Sequence, residues 1–189
     1  MAVAASTDER EFVHYVDAQN RIVLINQDWV DFAVENDVAH LTEVFIKKEP
    51  IWKYISGMET RFVFEVMLAK VRRKEGPVEV PFRCDAPNRR RFMKMTVRMR
   101  NDELVEFSSR IVREEMRETP LLLAESTRMT EEMMHCCGWC KKIQIPSGKH
   151  WVEVEEAVHE LDLFAEMPMP RITHGACPDC VKNLVKMME

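Results

Sequence analysis

Glycine is scarce in this chain: there are five in 189 residues. Loops that cradle phosphates or dinucleotides spend glycines in clusters, and no such cluster occurs. The G-x-S-x-G nucleophile elbow and the H-E-x-x-H metalloprotease helix are also missing. No apolar run approaches the roughly 18 residues needed to span a bilayer, so no membrane partner is expected. The opening stretch MAVAASTDEREFVHYV has neither a basic n-region nor a long apolar segment, which argues against a secretory signal. A basic excess is lacking too. Lys and Arg number 27 against 32 Asp and Glu, for a net charge of -5 and a pI near 5.8. Phosphate backbones need a concentrated basic face, so nucleic acid is not the expected partner. Without a signal, a reducing cytoplasm is the expected location, and resting disulfides are disfavoured there.

What the chain does have is enough apolar residue, 46%, for a real core. FVHYVD and RIVLIN read as two strands around a turn at Ala18-Gln19-Asn20. NQDWVDFAVEN reads as a helix, with Trp29, Phe32 and Ala33 at helical spacing and Asn26 or Asp28 as N-cap. IWKYIS suggests a short helix ending near Gly57. METRFVFEVMLAKVRRKEG is a longer one, carrying Phe62, Val63, Val66, Met67 and Val71 and ending in basic residues before Gly76-Pro77. Three strands follow. Val78, Val80, Phe82 and Cys84 share one face of the first, and Met93, Met95, Val97 and Met99 one face of the second. LVEFSSRIV completes the meander. The fold class is therefore α+β.

The order of two strands, helices and three strands resembles the PAS domain. YVDAQNRIVLIN, the WVDFAVEN helix and PFRCDAPNRRRFMKM carry the resemblance over residues 12–117. It implies a five-stranded antiparallel sheet with helices over one face, a small-molecule ligand or protein partner, and a homodimer. Candidate pocket residues are Phe82, Met93, Met95, Met99, Phe62 and Met67; plain core packing is the competing account of the methionines. A flavin site would need a cysteine in IWKYISGMETRF, and a haem site a histidine in METRFVFEVMLAKVRRKEG. Neither residue is present, so neither cofactor is expected, and His14 and His40 read as ordinary surface or packing histidines. Arg83, Asp85 and Arg89-Arg90-Arg91 read as a solvated, salt-bridged turn. Glu155-Glu156 read as the solvent face of a helix. Residues 1–11 form an N-terminal tail and 118–134 a linker able to become helical.

The remaining segment, 135–189, is too short for a self-sufficient core, and it holds two C-x-x-C pairs, Cys137/Cys140 and Cys177/Cys180. Each pair presents two sulfurs on one side of a turn, and two such turns complete a tetrahedron around zinc; iron is the alternative metal. Between them, GKHWVEVEEAVHELDLF reads as a helix with Val154, Ala157, Val158, Leu161 and Phe164 on one face. Cys136, His135 and His174 are candidate alternative ligands or donors to the sulfurs. Cys84, on an apolar strand face, reads as buried core. CGWCKKI, GKHW and HGACPDC resemble a C-terminal element attached to sensory domains in bacterial regulatory proteins. The expected activity is a non-enzymatic sensory or regulatory one, with the metal module relaying by contact. Two alternatives stand beside it: a thiol-based redox sensor or oxidoreductase using Cys137 and Cys140, and a structural adaptor without ligand.

Overall fold

The structure, a computed structural model, describes residues 8–36, 38, 46–101, 103–124, 129–147, 150–163 and 168–189. His40 and Phe164, and parts of the N-terminal tail, of the 118–134 linker and of GKHW, lie outside the described residues.

Strands β1 (Phe12–Val16) and β2 (Ile22–Ile25) form the expected hairpin. Asp17 organises its turn: one carboxylate oxygen accepts from the amides of Gln19 and Arg21, and Asn20 takes a left-handed φ of 60°. Helix α1 (Gln27–Glu35) starts at Asn26, whose side-chain oxygen accepts from the Trp29 amide at 3.0 Å. The same oxygen accepts from Val13 in β1, so one residue caps the helix and fastens it to the strand. IWKYIS forms only a 3₁₀ turn, Ile51–Lys53, behind Pro50. Helix α2 (Met58–Arg72) follows and buries Val63, Met67 and Val71 at i, i+4 and i+8. Burial of each such side chain contributes roughly 1.5–3 kcal/mol. Phe62 precedes that stripe by one residue, about 100° round the helix, and stands exposed.

Strands β3 (Val78–Arg83), β4 (Arg89–Met99) and β5 (Val105–Met116) complete an antiparallel sheet in the order β2-β1-β5-β4-β3. The alternation in the sequence is realised: Val78, Val80, Met95 and Val97 face inward into the core shared with α2, and Met93 faces inward beside Phe12 and Ile111.

The second half is a four-stranded sheet, β8-β7-β6-β9, made of β6 (Met129–Cys137), β7 (Ile143–Ile145), β8 (His150–Val152) and β9 (Met169–Gly175). Helix α3 (Val154–Glu160) covers one face and α4 (Pro178–Met187) follows β9. Two expectations are corrected here. The described part of the 118–134 linker forms a 3₁₀ turn, Leu121–Leu123, and most of β6 instead of a helix, because β6 pairs in parallel with β9. The predicted helix from Gly148 begins only at Val154. His150–Val152 are a strand, with Val152 opposite Ile143 and Trp151 opposite Gln144.

A single apolar cluster runs through both halves, joining Val63, Met67, Val80 and Phe107 to Cys137, Trp139, Cys177, Leu184 and Met188. A second seam is ionic, and it overturns the reading of a solvated turn. Arg83 is buried, contacts Asp85, and donates from Nη1 to both oxygens of Glu153 at 2.9 and 2.8 Å. Glu155 meets Arg90 at 2.7 Å and Arg117 at 3.2 Å. The start of α3 lies over the turn after β3, so Glu153 and Glu155 match these arginines, while Glu156 faces solvent as expected.

Candidate metal centre

Each cysteine pair ends one strand of the parallel pair β6–β9, which brings distant sequence together. Cys137 lies opposite Gly175 at the end of that ladder. After Cys137 the chain folds into a tight knuckle. The Lys141 amide donates to the Cys137 carbonyl at 2.9 Å, and the Cys137 amide donates to the Lys142 carbonyl at 2.8 Å. Lys141, at φ 62°, turns the backbone into β7. Gly138 donates to the Gly175 carbonyl at 2.7 Å, and a Cβ on Gly138 would stand 3.3 Å from that oxygen, so a side chain there would crowd the bond.

The second pair sits at a helix start. Cys177 is the N-cap of α4, with Pro178 at the first helical position, and its Sγ accepts from the Cys180 amide at 3.4 Å. The Cys177 amide in turn donates to Cys137 Sγ at 3.3 Å. Peptide dipoles at this terminus favour negative charge on the sulfurs.

The four sulfurs of Cys137, Cys140, Cys177 and Cys180 all lie within 4.8 Å of one another, and Cys140 and Cys177 are 3.8 Å apart. A tetrahedral centre with metal–sulfur bonds of about 2.3 Å has sulfurs roughly 3.8 Å apart, so these residues fit a four-coordinate metal ion. Cys137 and Cys177 are buried, and Cys140 and Cys180 half-buried. Hydrogen bonds from the thiols of Cys140 and Cys180, helped by backbone amides, pull the Cys137 thiol far below its ordinary range. Those same bonds to the Cys137 thiolate, together with its charge, push Cys140 and Cys180 up. The cluster therefore accepts one negative charge readily and resists more, and a bound cation removes that resistance.

The flanking candidates stand apart from this group. Cys136 points to the other face of β6, is buried beside Ile143, and donates weakly to the Cys137 carbonyl at 3.7 Å. Burial pushes its thiol up to about 11. His135 and His174 are exposed and line a groove with Gln144, Trp151 and Lys182; burial of its ring nevertheless lowers the His174 pKa. Cys84 is half-buried, and burial raises its thiol pKa as well.

Trp139, inside the first C-x-x-C, is anchored to the other sheet. Its carbonyl accepts from the Arg83 amide at 2.8 Å, and its buried ring stands edge-on to Phe82 and 5.5 Å from Phe64. Phe64 also lines a cavity of about 150 Å³ between the five-stranded sheet and the helices, with His14, Ile22, Ile25, Trp29, Tyr54 and Met95 among its walls. Of the pocket residues expected from sequence, Met95 alone lines this cavity. Phe82 and Met93 line a separate groove with Trp139, Cys140 and Cys180. Met67 is fully buried, Met99 packs at the margin of the core, and Phe62 faces outward. Composition marks His14 as an ordinary surface or packing histidine, but F-V-H-Y-V places it in phase with inward-facing Phe12 and Val16. Its ring stacks on Phe107 at 4.8 Å and 4°, and burial lowers its pKa to about 4.

Among the described residues, no helix is long and apolar enough to cross a membrane. No protein-family model matches this chain, and no curated protein is significantly similar to it.

Proposed function

We propose that this protein is a non-enzymatic sensory or regulatory protein of the bacterial signalling type. In this reading the PAS-like residues 12–117 take a small ligand or protein partner, and the four-cysteine module holds zinc and passes the state on by contact. The observation that carries it is Phe64, which forms part of the cavity wall and packs 5.5 Å from Trp139 within the C-x-x-C knuckle. A ligand that displaces Phe64 displaces the segment holding Cys137 and Cys140. It biases the centre only as far as it prefers one arrangement over the other.

A second contact supports the same coupling. Gly57, just before α2, sits so close to Gly175 that a Cβ would stand 2.9 Å from the Gly175 Cα. Tyr54 and Ile55 of the cavity wall thus connect within three residues to the strand that delivers Cys177. The strand order β2-β1-β5-β4-β3, with helices between β2 and β3, supports the PAS-like assignment. Zinc is preferred because four thiolates at tetrahedral separations suit it; iron is the alternative. The metal would supply charge compensation and a cross-link. Action as a cytoplasmic homodimer completes the proposal.

Metal analysis of protein purified without added metal tests it. About one zinc per chain, whose removal loosens the second sheet, is expected. Metal-free protein with a reversible Cys137/Cys140 dithiol would overturn the zinc reading in favour of a redox one. A cobalt-substituted centre whose thiolate absorption ignores a cavity-filling Ile25→Phe change would overturn the relay.

A further inference from the structure

The cavity beneath β1 has one conspicuous group. Ile22, Ile25, Ile46, Met95 and Phe64 make its walls almost wholly apolar. His14 lies among them, half-buried. Phe107 covers one face of its ring. Among the described residues neither ring nitrogen has a hydrogen-bond partner, and burial keeps the ring neutral at physiological pH. A ring nitrogen that opens onto an apolar pocket gains from a ligand that brings a hydrogen-bond partner to it.

Size and polarity narrow the occupant; His14, Trp29 and Tyr54 are the polar-tipped residues of the described lining. An apolar space of about 150 Å³ holds a benzene-sized molecule in place of water. Among the described lining residues no charged side chain offsets the desolvation of a carboxylate or an ammonium group, which disfavours both. A neutral imidazole offers one N–H and one lone pair, so it pairs with a hydroxyl in either direction. Building on the proposal that this cavity receives the ligand, we infer that its occupant is a small neutral ring bearing one hydroxyl, of phenol size, bonded to His14.

The test is calorimetric titration of the full chain with phenol and with toluene, in which a methyl group replaces the hydroxyl. Phenol is expected to bind about tenfold more tightly, the factor that one net hydrogen bond provides. His14→Phe should remove that preference while leaving toluene binding in place. Nitrogen chemical shifts of the His14 ring in the unmodified protein supply a readout that does not depend on how the variant folds. They should move with phenol and stay with toluene. Equal affinity for the two, a preference that survives His14→Phe, unmoved His14 nitrogens, or no binding of either compound would overturn the assignment. Phenol binding at His14 that leaves the cobalt–thiolate absorption unchanged would overturn the relay and leave the ligand class standing. Absence of phenol binding leaves the metal stoichiometry, and with it the zinc reading, untouched.

Discussion

The two sheets hold themselves together by different means. The five-stranded sheet relies on long ladders: β4 and β5 pair from Arg89–Met116 to Met99–Val105, and a broad layer of Val, Ile, Met and Phe lies beneath. The four-stranded sheet has two strands of three residues each. Its own core is small, built around Leu122, Met134, Ile143, Ile145, Val152 and Ala157. It makes up the difference with a sulfur cluster, a buried ionic seam and a tryptophan lent to its neighbour's core. A short segment with little apolar surface needs such cross-links, because burial alone does not offset chain entropy.

That contrast can be broken in order of severity. The largest effect is expected from Cys137→Ser or strong chelation. Structural zinc contributes on the order of 10 kcal/mol to small folds, so amide exchange should rise across β6–β9 and α4 while β1–β5 stay protected. Equal loss in both sheets would erase the distinction. Trp139→Ala should cost about 4 kcal/mol in urea unfolding, the range for deleting a buried large aromatic. It should also uncouple the two halves into separate transitions.

Arg83→Ala comes next, at up to about 3 kcal/mol, because it removes the nearest cation from Asp85 and Glu153 and leaves them Arg117 at 3.6 Å and Arg90 at 3.9 Å. Arg83→Lys should recover only part of this, since a single ammonium cannot serve two carboxylates in the guanidinium's fork geometry. The smallest effect concerns the first sheet alone. His14 has a folded pKa of about 4, below its ordinary 6.5, so the unfolded chain takes up the proton first. Stability from this group is intact above pH 6.5 and declines as pH falls toward 4. The loss is about 2 kcal/mol by pH 5. The pH profile of His14→Phe should lack this component when the two unfolding curves are subtracted.

The sequence revealed most of the first sheet because its pattern is local. Met93-x-Met95-x-Val97 alternates within one strand, and Val63, Met67 and Val71 mark one helical stripe. The four metal-fitting cysteines were equally visible, since each C-x-x-C fixes its own turn. What stayed hidden depends on distance. β7 and β8 are too short to display alternation, and β6 pairs with a strand that begins more than thirty residues after β6 ends. Arg83 looked like a surface residue because its partner Glu153 lies 70 positions away. The cavity walls come from an irregular stretch, Ile51–Ile55, and from a strand histidine whose inward phase is no stronger than that of any alternating residue.

Cys177 performs two tasks with one sulfur: it belongs to the four-thiol group and it caps α4. The far end of that helix is moored, since Lys70 of α2 donates to the Met188 carbonyl and Leu184 and Met188 sit in the shared core. Helix α4 is thus a strut anchored at one end by chemistry and at the other by packing. Releasing the sulfur end frays the strut from its first turn. A metal held by the four sulfurs would set how much of that helix is ordered, a quantity that another molecule can grip.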